Sequence, residues 1–196
     1  MSYHYEKILS KANTAANIVL DEMLSKPNRE PLYTDEIKKI IEDRFKVDIE
    51  IKSASFKHFE RPACDAGAFM CRKNKDKFVI LVNTDKPTAF QRFSIIHEMG
   101  HIATGCLVDD KRNAWIISTD ISYDIPSAPQ KDKNQAYEVM ANIFALKVII
   151  PIDILLEQIK AEKSIKYIAS YFITDTDAIL ARIRLGDILW KKSLKI

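Results

Sequence analysis

The chain has 196 residues, of which 47% are hydrophobic and 29% are charged, and its net charge is +3. These values are typical of one compact globular domain, or of a domain with a small appendage, and the charge is too small to argue for a nucleic-acid-binding protein. No apolar run approaches the roughly 20 residues needed to span a bilayer, so we expect no membrane-spanning segment.

The N-terminal residues and the cysteines indicate a cytoplasmic protein. Residues 1–7 contain neither the basic start nor the apolar stretch of a signal peptide. Cys64, Cys71 and Cys106 are odd in number and irregularly spaced. That pattern is typical of reduced thiols and not of a disulfide framework.

The first half of the chain changes from helical to alternating periodicity. Apolar residues recur at helical spacing from Tyr3 to Leu24, and Thr34 is placed to cap a second helix. Alternation over 47–51 then predicts a strand, and residues 66–72 and 78–83 predict two more, joined by a polar hairpin loop. We therefore expect a small, mainly antiparallel sheet directly before the next helix.

That helix carries the most informative motif, His-Glu-Met-Gly-His. Thr88 and Gln91 have the spacing of a capping box, which predicts a helix that begins at about residue 89. His97 and His101 are four residues apart and project from one helical face, so both imidazoles can reach one metal ion. Glu98 lies between them and is placed to take a proton from a metal-bound water. The alternative is a histidine pair with a purely structural role.

Two glycines in the same segment also carry information. Gly100 costs a helix up to about 1 kcal/mol relative to alanine, and a close backbone approach beside the metal would explain its presence. Gly105 is a natural helix end.

Residues 107–133 lose periodicity and predict a long loop at the border of a cleft, docked by the apolar patch at residues 115–117.

A helix follows from Asn134 to Ile150, and Glu138 lies beside its apolar stripe. A carboxylate from a later helix is the usual third ligand of a His-Glu-x-x-His site, and Glu138 is the only glutamate between Glu98 and Glu157. The alternatives left open are the loop aspartates and, less favoured, the thiol: Asp109, Asp110, Asp120, Asp124 and Cys106.

The residues after Pro151 predict three further helices, the last two with a helix-turn-helix outline between Ser164 and Leu185. Asp175 and Asp177 would lie at the start of the supposed recognition helix, where DNA phosphates would repel them. Direct DNA binding is therefore disfavoured. We divide the chain into residues 1–150, with the metal site, and residues 151–196, a helical region suited to partner docking.

Three motifs together resemble the ImmA/IrrE family of metallopeptidases. The chain contains H-E-x-G-H at residues 97–101, E-x-x-A-N-x-F-A at residues 138–145, and an apolar run ending at Pro151. The resemblance implies cleavage of a helix-turn-helix repressor by a zinc-dependent enzyme. It also implies that His97, His101 and Glu138 are the metal ligands and Glu98 the catalytic glutamate.

These observations together predict a mostly helical, zincin-like α+β metallopeptidase domain with its small sheet beside the active-site helix. One Zn²⁺ ion would be bound by His97, His101 and Glu138. The expected partner is a protein substrate. Oxyanion stabilisation is assigned to no residue, with Tyr123 and Tyr137 as candidates. Two rival interpretations are a non-catalytic, metal-containing regulator of a phage or toxin–antitoxin pair and a DNA-binding repressor.

Overall fold

The computed structural model describes residues 2–25, 31–61, 63–105, 115–117, 123 and 133–193. The elements in chain order are α1 (Ser2–Leu24), α2 (Thr34–Phe45), β1 (Asp48–Ala54), a 3₁₀ turn (Ala63–Asp65), β2 (Ala68–Arg72), β3 (Lys77–Asn83), α3 (Thr88–Thr104), β4 (Trp115–Ile117), α4 (Lys133–Ile149), α5 (Ile152–Lys160), α6 (Ile165–Tyr171) and α7 (Thr176–Ser193). The predicted fold class, a mostly helical α+β domain with a small sheet, is confirmed.

The sheet is mixed and has the strand order β1-β3-β2-β4. β1 is parallel to β3, with Asp48 opposite Lys77, whereas β2 is antiparallel to both β3 and β4. The three predicted strands and their hairpin are confirmed, and the Lys73 amide donates to the Lys77 carbonyl at 2.8 Å. The patch at residues 115–117, predicted only to dock the loop, forms a fourth strand.

The sheet packs on α3 through a site that only glycine fits. A Cβ atom at Gly67, just before β2, would lie 2.1 Å from Ser94 Oγ and 2.8 Å from a Phe90 ring carbon. Both distances are far below van der Waals contact, so any larger residue would push β2 away from α3. The sheet and the motif helix are therefore held in close contact.

The edge strand β1 is partly covered by a side chain. The Asp48 amide points inward and donates to the Asp76 carbonyl, whereas the Ile49 amide donates to Glu42 Oε1 of α2 at 2.8 Å. Because successive residues of a strand alternate in direction, the amides of Ile51 and Ser53 also face outward. Among the described strands, β1 and β4 form the two edges of the sheet.

Helix α3 is buried almost all round and packs most extensively against α4. Gly105 ends it in the left-handed conformation, with φ 64°, and its amide donates to the carbonyls of His101 and Ile102. The predicted capping box is wrong: Pro87 is the N-cap, and Gln91 Nε2 donates instead to the Lys86 carbonyl at 2.7 Å. Proline supplies the required backbone conformation without a side-chain bond.

The C-terminal helices belong to the same hydrophobic core as α3. This core includes Ile154, Ile168, Phe172, Ile179 and Leu185, all of which are at most 3% exposed. The proposed boundary at residue 150 therefore crosses a continuous packed interior. As a division of function, it stays a prediction.

A buried arginine ties α3 to the turn between α6 and α7. Arg92 donates to the carbonyls of Leu32 and Phe172, each at 2.6 Å, and to that of Ile173 at 3.3 Å. Burial lowers the pKa of Arg92 to about 10, so it stays charged at neutral pH. The carbonyl dipoles thus hold a cation 94% buried inside the core.

No single helix in the described residues is long and apolar enough to cross a membrane. The pair α4 and α5 reaches that length and composition together, but it is bent by 51° between its two helices.

We predict that Gly100→Ala lowers the free energy of unfolding by about 1–3 kcal/mol, because its Cβ would meet α4. That Cβ would lie 3.0 Å from a Phe144 ring carbon and 3.1 Å from the Ala141 Cα. Urea unfolding followed by circular dichroism measures the change.

Gly186→Ala in α7 is the matched control, because its Cβ would meet only Ile152 Cδ1 at 3.8 Å. It should leave the stability unchanged or raise it by up to about 1 kcal/mol. Equal stability of the two variants would contradict close packing of α3 on α4.

Candidate metal centre

Most of the buried polar side chains gather at one place, the contact between α3 and α4. Within the described ranges, nine polar or charged side chains are buried: Asn83, Arg92, Ser94, His97, Glu98, His101, Glu138, Asn142 and Arg182. Five of them, His97, Glu98, His101, Glu138 and Asn142, face each other or follow one another along these two helices. Buried ionisable groups are costly unless they bind each other or a ligand, so such a cluster marks a functional site.

His97, His101 and Glu138 have the separations expected of metal ligands. The two Nε2 atoms are 3.2 Å apart. His97 Nε2 lies 3.1 Å from Glu138 Oε2, and His101 Nε2 lies 3.4 Å from Glu138 Oε1. A tetrahedron with zinc–ligand bonds of about 2.0–2.1 Å has edges of about 3.3 Å. The two histidines face different oxygens of Glu138, and the ligand atoms of the three residues all lie within 4.8 Å of one another, close enough to converge on one zinc ion.

Asn142 fixes the orientation of one imidazole. It is one turn after Glu138 on α4, and its Oδ1 lies 2.7 Å from His97 Nδ1. Because an amide oxygen can only accept, Nδ1 carries a proton, which leaves Nε2 as the ring nitrogen that faces Glu138 and could bind a metal ion. This is the tautomer that a metal ion requires, and an outer hydrogen bond of this kind is usual for metal-binding histidines.

The charge of Glu138 is stabilised by the histidines. Burial alone would raise its pKa, but hydrogen bonds from His101 and His97 and the charges of both rings outweigh burial and lower the pKa to about 2. Glu138 is therefore an ionised carboxylate at neutral pH. Two imidazoles and one carboxylate form a donor set that suits a divalent zinc ion.

Glu98 follows His97 on α3 and is fully buried, and it does not belong to the group of three possible metal ligands. Its role as the base stays a prediction. A carboxylate in this setting can accept a proton within a site shielded from bulk water.

The remaining predicted candidates separate into two groups. Asp109, Asp110, Asp120, Asp124 and Cys106 lie outside the described residues. The Tyr123 hydroxyl donates to Asp175 Oδ2 at 2.5 Å, and its ring packs edge-on against Phe93 of α3. Burial and Asp175 raise the pKa of Tyr123, which keeps its proton on that bond. Tyr137 precedes Glu138 and is half-buried, and its oxyanion role stays a prediction.

Asn142 received no role in the sequence analysis, although its spacing contained a signal. It follows Glu138 by four residues, and residues at this spacing lie one turn apart on the same face of a helix. An asparagine at this spacing from a predicted ligand can therefore reach the metal site and orient one of the ligands by a hydrogen bond.

Comparison with known proteins gives one family match. The Peptidase_M78 family model, described as the IrrE N-terminal-like domain, matches residues 46–184, which is more than two thirds of the chain. The match begins just before β1 and extends into α7, well beyond the three motifs at residues 97–151. No curated protein matches the chain.

We predict that Asn142→Ala lowers zinc affinity by about 10–100-fold, because the His97 ring loses the acceptor that fixes its tautomer. Asn142→Asp keeps an acceptor oxygen at the same distance and should retain most of the affinity. Competition with a chromogenic chelator measures both variants against wild type. Equal affinities of wild type and Asn142→Ala would remove the orienting role from Asn142.

Proposed function

The chain belongs to the Peptidase_M78 family of metallopeptidases, and from that premise we propose that it is a zinc-dependent endopeptidase of narrow specificity. The observation that carries this proposal is the buried cluster of His97, His101 and Glu138, together with the burial of Glu98, which follows His97 in the chain. The part of the chain that the structure describes offers three protein ligands, which would leave a fourth position for substrate or water, as in catalytic zinc sites.

We assign metal binding and proton transfer to different residues of the site. His97, His101 and Glu138 would bind one Zn²⁺ ion, which supplies Lewis acidity that polarises a peptide carbonyl and lowers the pKa of a water molecule. A carboxylate oxygen of Glu98 would accept the proton of the attacking water. The same oxygen would then deliver that proton to the leaving amide nitrogen. Burial of Glu98 keeps bulk water from competing for the proton.

We further propose that the substrate is a helix-turn-helix repressor, cut at a single site in a segment that can become extended. Two considerations support narrow specificity. The family resemblance implies this substrate, and a peptidase that acts among cytoplasmic proteins must not degrade them at random. The backbone groups on an exposed strand edge such as β1 can form hydrogen bonds with an extended segment, and these bonds do not depend on the sequence of that segment.

Exposed apolar side chains on α5–α7 and their connections support a docking role for the C-terminal region. Between residues 156 and 180 the exposed large apolar side chains are Leu156, Ile159, Ile165, Tyr167, Ile173 and Leu180. Only Tyr33 and Phe59 are comparably exposed elsewhere in the described residues. Such a concentration is typical of protein–protein contact surfaces. Asp175 Oδ1 accepts from the Ala178 amide at 2.9 Å, so this acidic side chain caps α7 and would oppose a DNA backbone there.

Glu98→Gln and Glu138→Gln separate proton transfer from metal binding. Glu98→Gln should retain about one zinc per chain while turnover falls by at least about 100-fold, because the amide cannot act as a base. Glu138→Gln should lose both zinc and turnover. Zinc content by atomic absorption and cleavage of a repressor substrate give the two readouts. Full turnover by zinc-loaded Glu98→Gln would exclude Glu98 as the base, and the absence of turnover in wild type would favour the non-catalytic regulator.

The repressor encoded beside this gene should be cut once, and a chelator should abolish cleavage. Replacing Tyr167 and Leu180 with serine should slow this cleavage by about tenfold, because large buried contacts dominate most interfaces. Tyr33→Ser is the control, since Tyr33 is 63% exposed but lies outside the C-terminal helices. Gel analysis of the fragments is the measurement. Chelator-sensitive digestion of an unfolded protein at many sites, with the repressor intact, would refute the narrow specificity alone.

A further inference from the structure

A groove in the described part of the chain lies between the end of α3 and the β2–β3 hairpin, and the mechanism above does not use it. It has a volume of about 610 Å³, within the range of sites that hold a drug-sized ligand. Its apolar lining residues are Phe45, Val47, Phe78, Ile102 and Ala103. A second hollow of about 240 Å³ shares Phe45, Ala103 and Thr104 and extends the groove along α1.

This groove adjoins the metal centre on both of the helices that build it. On α3, Thr104 lines the groove and follows His101 by three residues, about 4.5 Å further along the helix axis on a similar face. On α4, Tyr137 lines the groove and directly precedes Glu138. A chain that passes across the metal site could therefore place its next residues in the groove.

The charges around the groove are mostly positive. Arg72 and Lys75 border the larger part, with Asp76 as the acidic member, and Lys11 borders the extension on α1. Arg72 is held in place, since its Nε and one terminal nitrogen donate to the Asn74 and Lys75 carbonyls and its guanidinium lies 6.0 Å from the Phe78 ring centre. Three cations against one carboxylate favour an acidic group in the occupant.

We propose that this groove is a substrate subsite that binds a polypeptide segment in which large apolar residues are followed by an acidic residue. The apolar side chains would contact the apolar lining residues, and the carboxylate would be attracted by the cations that border the groove, Lys11, Arg72 and Lys75. The subsite would select the cleavage site by the residues on one side of the bond. This inference rests on the proposed peptidase function, since it assigns the groove to that enzyme's substrate.

The test measures binding and does not require cleavage. Two fluorescein-labelled dodecapeptides share a Leu-Phe core and differ only in whether Glu or Lys follows it. Their affinities for the zinc-loaded, full-length Glu98→Gln protein are measured by fluorescence anisotropy. The Glu peptide should bind at least about fivefold more tightly, and this difference should shrink as salt is added.

Charge-reversal variants assign that preference to the groove. Lys11→Glu combined with Lys75→Glu should reverse the preference, because both residues are exposed and border the groove. Lys7→Glu combined with Lys73→Glu is the matched control. These residues are exposed on the same helix and hairpin, but they do not line the groove, so the preference should remain. Thr104→Trp, which fills the groove, should weaken binding of both peptides.

The outcomes separate the subsite from the peptidase activity. Equal binding of the two peptides, or an equal effect of the control pair, overturns the subsite, even if the wild-type protein cleaves its repressor. Selective binding that the groove variants reverse supports the subsite, and it does so even if wild type cleaves nothing and the catalytic proposal fails.

Discussion

The close approach of α3 and α4 is the constraint on which the metal centre depends. His97 and His101 belong to one helix and Glu138 to the other, so the distances of 3.1 and 3.4 Å from the histidines to Glu138 exist only while the two backbones touch. Gly100 makes this possible, because the space that a side chain would occupy is filled by Ala141 and Phe144. The absence of one methyl group at Gly100 therefore allows the side chains of the two helices to meet. Helix propensity is lost at that residue, and packing compensates for it.

The site was more predictable from the sequence than its surroundings were. Helical spacing alone places His97 and His101 on one face, and the scarcity of glutamates pointed to Glu138. These inferences rely on local geometry and on elimination. The α3 N-cap was predicted incorrectly, and strand β4 was not predicted. The cap is set by Pro87 and by how the chain leaves β3. The pairing of β4 depends on β2, more than forty residues earlier in the chain, and no periodicity within three residues indicates such a partner.

The C-terminal helices have a second role beyond the docking surface that their sequence suggested. Phe172 is fully buried, and Arg92 of the metal-binding helix donates to its carbonyl. Tyr123 packs on Phe93 and its hydroxyl donates to Asp175, so Tyr123 also links the turn between α6 and α7 to α3. These contacts link the turn to the helix that carries both histidines. Sequence periodicity could reveal the amphipathic helices, but not that the core extends through them.

The side chain of Glu42 on the edge of β1 has a consequence for the protein's own solubility. A free strand edge that can hold an extended polypeptide can equally capture another copy of the sheet and begin a growing aggregate. Glu42 occupies the first outward amide, and the charged Asp48, Glu50 and Lys52 alternate along the same strand. An incoming strand would have to displace a carboxylate from the Ile49 amide before it could align in full register. The β1 edge can thus pair with a short extended segment, but it resists the stable pairing of one sheet with another that leads to polymerisation.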